Sequence, residues 1–164
     1  MTFQKFTGFA KSINLISEPS FFCDLARAGG RGPIKQTLSI HDSGAVYFNE
    51  YYLCIEPDDK PIVRHRYKIG NAIAQGIIDE IVNYFKSCDE IWMACDAGIW
   101  ELKINTIDDK HFVFAGSLIF DNPRLNVISQ RIRHVLDNKD VWAFDGALEK
   151  NHELHTGRTK EHDS

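Results

Sequence analysis

The chain holds no apolar run approaching the roughly 20 residues that a membrane-spanning helix needs, so no helical span is expected in its 164 residues. It also lacks cysteines at C-x-x-C spacing. Cys23, Cys54, Cys88 and Cys95 are dispersed, which removes zinc-ribbon and dithiol-redox readings. The N-terminal stretch MTFQKFTGFAKS is too polar for a secretory signal. The cysteines therefore read as reduced thiols of a cytoplasmic protein, each a small buried hydrophobe. Positive charge is in short supply: 19 Lys and Arg face 23 Asp and Glu, for a net charge of −4. A generic nucleic-acid-binding surface is usually basic, so direct nucleic-acid binding is not expected, although a local basic patch remains allowed. Neither G-x-x-x-x-G-K-[ST] nor G-x-G-x-x-G occurs, and no serine or cysteine can be paired with a histidine at an informative spacing. The sequence thus predicts no cofactor, no metal and no catalytic residue, and an enzyme is less expected than a binding protein.

The composition, 43% hydrophobic and 26% charged, is that of a soluble globular domain. Residues 1–148 are expected to form one α+β domain. The charged residues 149–164 are expected to form a mobile tail, where His152, His155 and His162 are a weak metal-binding pattern. Two hairpins give the clearest local signals. In QTLSIHDSGAVYF, Leu38 and Ile40 face Val46 and Phe48 if Asp42, Ser43 and Gly44 form a three-residue loop, with Gly44 at positive φ. In the stretch from Ile99 onward, Trp100, Leu102 and Ile104 alternate with Glu101, Lys103 and Asn105. Pairing Ile104 with Phe112 and Leu102 with Phe114 puts both apolar sets on one face. It also sets Trp100 over Gly116, where a ring can cover a residue without a side chain. The loop is then residues 107–109, and an Asp takes its left-handed position.

Residues 62–69 read as a further strand, with Val63, His65, Tyr67 and Ile69 opposite Arg64, Arg66 and Lys68. Asn71 is the expected N-cap of a helix to about Ser87, with Ile73, Ile77, Ile81, Tyr84 and Phe85 on its apolar face. Asn122 and Pro123 begin a second helix, striped by Leu125, Ile128, Ile132, Val135 and Leu136. Trp142 and Phe144 form a last packed segment. An entering strand is expected near Ile91, and residues 20–28 read either as a short helix or as a strand. The fold class is therefore α+β: a mainly antiparallel sheet of two hairpins plus additional strands, packed against two helices on one face.

From about Tyr84 to Gly146 the chain resembles a family of uncharacterised small proteins from Clostridia and their relatives. The resemblance is carried by Asp96, Gly98, Trp100, Glu101 and Leu102, by Gly116, Ser117 and Leu118, and by Phe144, Asp145 and Gly146. The glycine loop at residues 29–33 also looks similar. The resemblance implies a common fold and brings no catalytic residue. Genes of that kind occur near mobile elements, which implies a role in phage or plasmid conflict.

Two surfaces stand out as candidate sites. Arg27, Gly29, Gly30, Arg31 and Gly32 offer backbone N–H groups and guanidinium charge to a phosphate or carboxylate. A nucleotide- or phosphate-binding protein, or a small hydrolase, would be built there. Without motif spacing, an ordinary connection into the first hairpin is the stronger reading. The second surface joins Tyr47, Tyr51 and Tyr52 to Arg64, Arg66 and Lys68. Tyrosine and arginine together are typical of protein interfaces. A solvated sheet face and a second small core beneath residues 56–61 are the bland alternatives. Arg124, Arg131, Arg133 and His134 add to the central basic charge. The leading expectation is a protein-interaction module whose partner is a nucleic-acid-processing enzyme, acting as an inhibitor of a defence nuclease. A homodimer paired through the strand at residues 62–69 is a further arrangement.

Overall fold

The computed structural model describes residues 5–19, 32–53, 57–88, 98–118 and 122–146. Among the described residues, eight elements follow one another: β1 (Ala10–Glu18), β2 (Lys35–His41), β3 (Ala45–Tyr51), β4 (Ile62–Lys68), α1 (Asn71–Ser87), β5 (Ile99–Thr106), β6 (His111–Ser117) and α2 (Pro123–Leu136). The strands form one six-stranded sheet in the order β4-β3-β2-β1-β5-β6, and every neighbouring pair is antiparallel. The chain is therefore an α+β protein.

Both hairpins have the register that their alternation dictates. Leu38 pairs with Phe48 and Ile40 with Val46, and Gly44 closes that turn at φ 87°. Leu102 pairs with Phe114, Ile104 with Phe112 and Trp100 with Gly116. Asp109 takes the left-handed position of the second turn at φ 60°. Thr106 holds that turn from both sides. Its hydroxyl donates to Asp108 Oδ1 (2.5 Å) and accepts from the Lys110 N–H (3.0 Å). The Thr106 hydroxyl, with Lys110 beside it, holds the Asp108 carboxyl below its ordinary range.

The centre of the sheet is β1, which the alternation rule does not single out. It pairs with β2 on one side and β5 on the other, so the two hairpins become one sheet only through it. Three rows of side chains run across the helix-facing side. Phe112, Ile104, Ile13, Ile40, Val46 and Tyr67 make the first row, and Phe114, Leu102, Leu15, Leu38, Phe48 and His65 the second. In the third, Trp100 is followed by Ser17, Gln36 and Glu50. The first two rows are the core, with Ile77, Ile78 and Ile81 of α1 and Ile128 and Ile132 of α2 buried against them. Each such side chain contributes about 1.5–3 kcal/mol through removal from water.

The polar third row is roofed by backbone. Ser17 Oγ donates to the Ala143 carbonyl (2.7 Å), and Gln36 donates to the Asp140 carbonyl (2.8 Å) while accepting from the Trp142 N–H (2.8 Å). Residues 137–146 thus close the core where the sheet runs out of apolar side chains.

Some sequence expectations need correction. Asn71 is the first helical residue of α1 rather than its cap; Gly70, extended at φ −63° and ψ 143°, occupies the cap without a side-chain bond. Ile73 points to solvent, and Ala74 takes the buried place on that turn. The expected strand near Ile91, the helix or strand at residues 20–28 and the tail at 149–164 lie outside the described residues. The cap of α2 is as expected: Asn122 Oδ1 accepts from the Leu125 N–H (3.1 Å), ahead of Pro123. Asn122 Nδ2 also donates to the Tyr84 hydroxyl (2.8 Å), pinning the start of α2 to α1.

Burial, with the Cys88 thiol beside it, pushes the Tyr84 phenol from 10.0 up to about 12. Above pH 10 the unfolded chain gives up this proton while the folded chain keeps it, so this group's stabilisation is complete below pH 10 and declines up to about 12. Tyr84→Phe is expected to flatten that part of the decline when urea midpoints are measured across the window. An unchanged slope would rule out Tyr84 as its source.

Candidate protein-interaction face

The sheet's second face carries no described helix. Parity assigns to it Lys35, Thr37, Ser39 and His41 of β2, Tyr47, Asn49 and Tyr51 of β3, and Arg64, Arg66 and Lys68 of β4. Tyr47 sits between two neighbours. The Arg66 guanidinium lies over its ring at 4.9 Å from the centroid, and His41 meets it edge-on at 5.7 Å. Its side chain is nevertheless 42% exposed. Lys35 Nζ lies over the Tyr51 ring at 4.9 Å.

A polar ladder fixes the cations. Arg66 donates to Asn49 Oδ1 (3.0 Å) and to the His65 carbonyl (2.9 Å), and Asn49 Nδ2 donates to Thr37 Oγ1 (3.1 Å). Nearer the centre, Ser39 Oγ donates to Asn14 Oδ1 (2.6 Å). Lys68 reaches the hairpin turn and donates to the Ser43 carbonyl (2.6 Å). The face is therefore cationic and aromatic, on a chain whose net charge is −4. Its side chains are partly immobilised by these contacts.

Five of the six expected partner residues share this face: Tyr47, Tyr51, Arg64, Arg66 and Lys68. Tyr52 does not. The two-residue period turns it to the other side, where it hydrogen-bonds Glu50; desolvation first, and then the Glu50 and Asp140 charges, raise its phenol above the ordinary range. Glu50 also lies 3.1 Å from His65 Nε2. The basic residues of α2 are apart as well. Arg133 is buried in a bidentate pair with Asp145 (2.7 and 2.9 Å), Arg131 pairs with Glu80 of α1, and Arg124 lies over the Tyr84 ring at 5.1 Å. The central basic charge is thus divided between the open sheet face and α2.

Of the glycine-loop candidates, Arg27, Gly29, Gly30 and Arg31 lie outside the described residues; Gly32 is half-buried just ahead of β2. Lys35 was missed by the sequence reading, though its parity with Thr37 and Ser39 was available as a signal. His41 is a ring neighbour of Tyr47. No described helix is long and apolar enough to cross a membrane. Among the described residues, no group of three or more His, Cys, Asp or Glu could hold a metal ion. No family model matches this chain, and no curated protein matches it.

Proposed function

We propose that the chain is a small protein-interaction module that docks an acidic protein surface on the open face of β2, β3 and β4. The observation that carries this reading is Tyr47, held between Arg66 and His41 yet 42% exposed. Tyrosine and arginine supply most interface hot spots, above all where their conformations are fixed beforehand. Because Arg66 already occupies one face of the Tyr47 ring and Lys35 one face of Tyr51, the rings are less open to stacking nucleobases than to the edges of protein side chains. That favours protein over single-stranded nucleic acid.

The partner class is a nucleic-acid-processing enzyme, in keeping with an inhibitor carried by mobile elements. The sign of charge decides how it would be held. Like charges oppose docking into a basic nucleic-acid channel, so this face suits an acidic flank of such an enzyme.

The test uses the full chain as bait and measures affinity for each captured protein. Tyr47→Ala and Arg66→Glu are expected to weaken binding by about 30-fold or more, the equivalent of a 2 kcal/mol hot spot. Val127→Ala, an exposed position on α2, is expected to leave it unchanged. Binding should also weaken as salt rises, because exposed charges are screened. Equal affinity in all three variants would overturn the choice of face.

A further inference from the structure

The two edges of the sheet differ in a way that bears on self-association. An edge strand presents unpaired backbone groups, and natural proteins guard such edges with charge or proline. The β4 edge is guarded: Arg64, Arg66 and Lys68 alternate along it, all exposed. The β6 edge is not. His111–Ser117 reads HFVFAGS, with no Asp, Glu, Lys, Arg or Pro, and no described strand pairs with its outer side. On its open-face side, His111, Val113 and Ala115 are exposed. Apolar surface gathers at the same end of the sheet. Of the eight exposed large hydrophobic residues among those described, Phe9, Ile99, Ile107 and Val113 belong to β5, β6, their turn or the lead into β1. Phe9 and Ile107 are joined there by a backbone hydrogen bond (3.0 Å).

We infer that β6 is a self-pairing edge, at which a second copy of this chain adds its own β6 antiparallel and extends the sheet across a two-fold axis. The occupant is a second copy because self-pairing sets every residue opposite a residue of the same strand. With β6 no like charges meet. The same operation on β4 would bring its arginines and lysine together, and like charges directly opposite are destabilising. An isologous contact of this kind also closes, giving a dimer rather than a fibre. With the two-fold at Val113, that side chain meets its own copy, and Phe112 lies opposite Phe114 of the other chain. The edge expected from sequence to pair, at residues 62–69, is the one that charge protects. This inference is independent of the proposed binding face.

Sedimentation of the full chain across the micromolar range, with hydrogen exchange at both ends of that range, tests it. The expected result is a concentration-dependent dimer in which the amides of β6 gain protection on association. Val113→Lys places a cation on the two-fold, and is expected to keep the chain monomeric at the highest concentration with an unchanged far-ultraviolet spectrum. Arg66→Ala is expected to leave the dimer intact. A chain that stays monomeric throughout, or a dimer whose β6 amides gain no protection, would overturn the inference. So would a Val113→Lys variant that dimerises as well as the parent.

Discussion

Asp145→Asn is expected to destabilise the fold by about 3–5 kcal/mol, as happens when one member of a buried ion pair is removed. Asp145 and Arg133 have side chains 2% and 8% exposed. The carboxylate takes two parallel bonds from the guanidinium, and the Val141 carbonyl takes another from the same group (3.1 Å). An asparagine cannot neutralise the buried cation, so the loss is the desolvation left uncompensated at Arg133 rather than the net worth of the pair. The pair has a further task. Residues 141–146 carry Ala143 at φ 46°, a left-handed conformation that an alanine adopts only under constraint. Ser17 below, the Ser129 hydroxyl accepting from the Phe144 N–H (3.1 Å), and Arg133 together impose it. Loss of the pair therefore loosens the roof over the polar third row. Since small domains have only about 5–15 kcal/mol in total, the variant should unfold at a much lower urea concentration. An apolar double replacement, Arg133→Met with Asp145→Leu, is expected to recover most of the loss, because an ion pair so deeply buried is worth little more than well-packed hydrocarbon. A single-variant loss below about 1 kcal/mol, the scale of an exposed pair, would show that water reaches the site.

What could be read from sequence, and what could not, follows from which interactions are local. The hairpins were legible because alternation and turn chemistry lie within a dozen residues of each other. Gly44 and Asp109 both take positive φ where the loop length requires it. The central strand was not legible, because its pattern is impure. Ile13 and Leu15 face the core, but Ile16 adds an apolar residue on the open face, and Ser12 and Ser17 are buried polar residues. A strand with partners on both sides can carry such residues when its neighbours or a covering loop satisfy them, as Asn105 Nδ2 does for Ser12 (3.1 Å) and Ala143 for Ser17. Arg133 looked like surface charge for a related reason. Its partner lies 12 residues away in an irregular segment, and no periodicity announces such a contact. Tyr52 is different: parity from Tyr47 and Tyr51 already assigned it to the other side, and proximity in sequence obscured a signal that was present. The open face of β2, β3 and β4 was legible in its residue types but not in its order, since the placement of Lys35 over Tyr51 and Arg66 over Tyr47 needs the cross-strand register.

The tryptophan at the other end of the third row makes the second large prediction. Gly116→Ala is expected to destabilise the chain by about 2–3 kcal/mol, the upper range for overpacking a close-packed core. A Cβ at Gly116 would stand 2.3 Å from Trp100 Cζ2 and 2.6 Å from Cε2, distances at which something must move. The indole has nowhere to go. It is 3% exposed and boxed edge-on by Phe85 (5.9 Å between centroids) and Phe144 (5.2 Å). The β6 backbone is equally constrained, since the Phe114 and Phe112 pairs fix its register against β5. The added methyl should therefore be felt twice, as strain at the indole and as displacement of Phe144 in the segment that Asp145 anchors. Trp100→Phe alone should also destabilise, because it leaves a void where the larger ring was. Combined with Gly116→Ala, however, it makes room for the new methyl, so the double variant should lose less than the sum of the two single losses. Residues in contact show this kind of coupling, and a double-mutant cycle by urea unfolding measures it. Additive losses would mean that the indole and residue 116 do not share the same space. A near-wild-type Gly116→Ala would show that Trp100 can swing clear, and with it that the wall of the core between β5, β6 and α1 is softer than its packing implies.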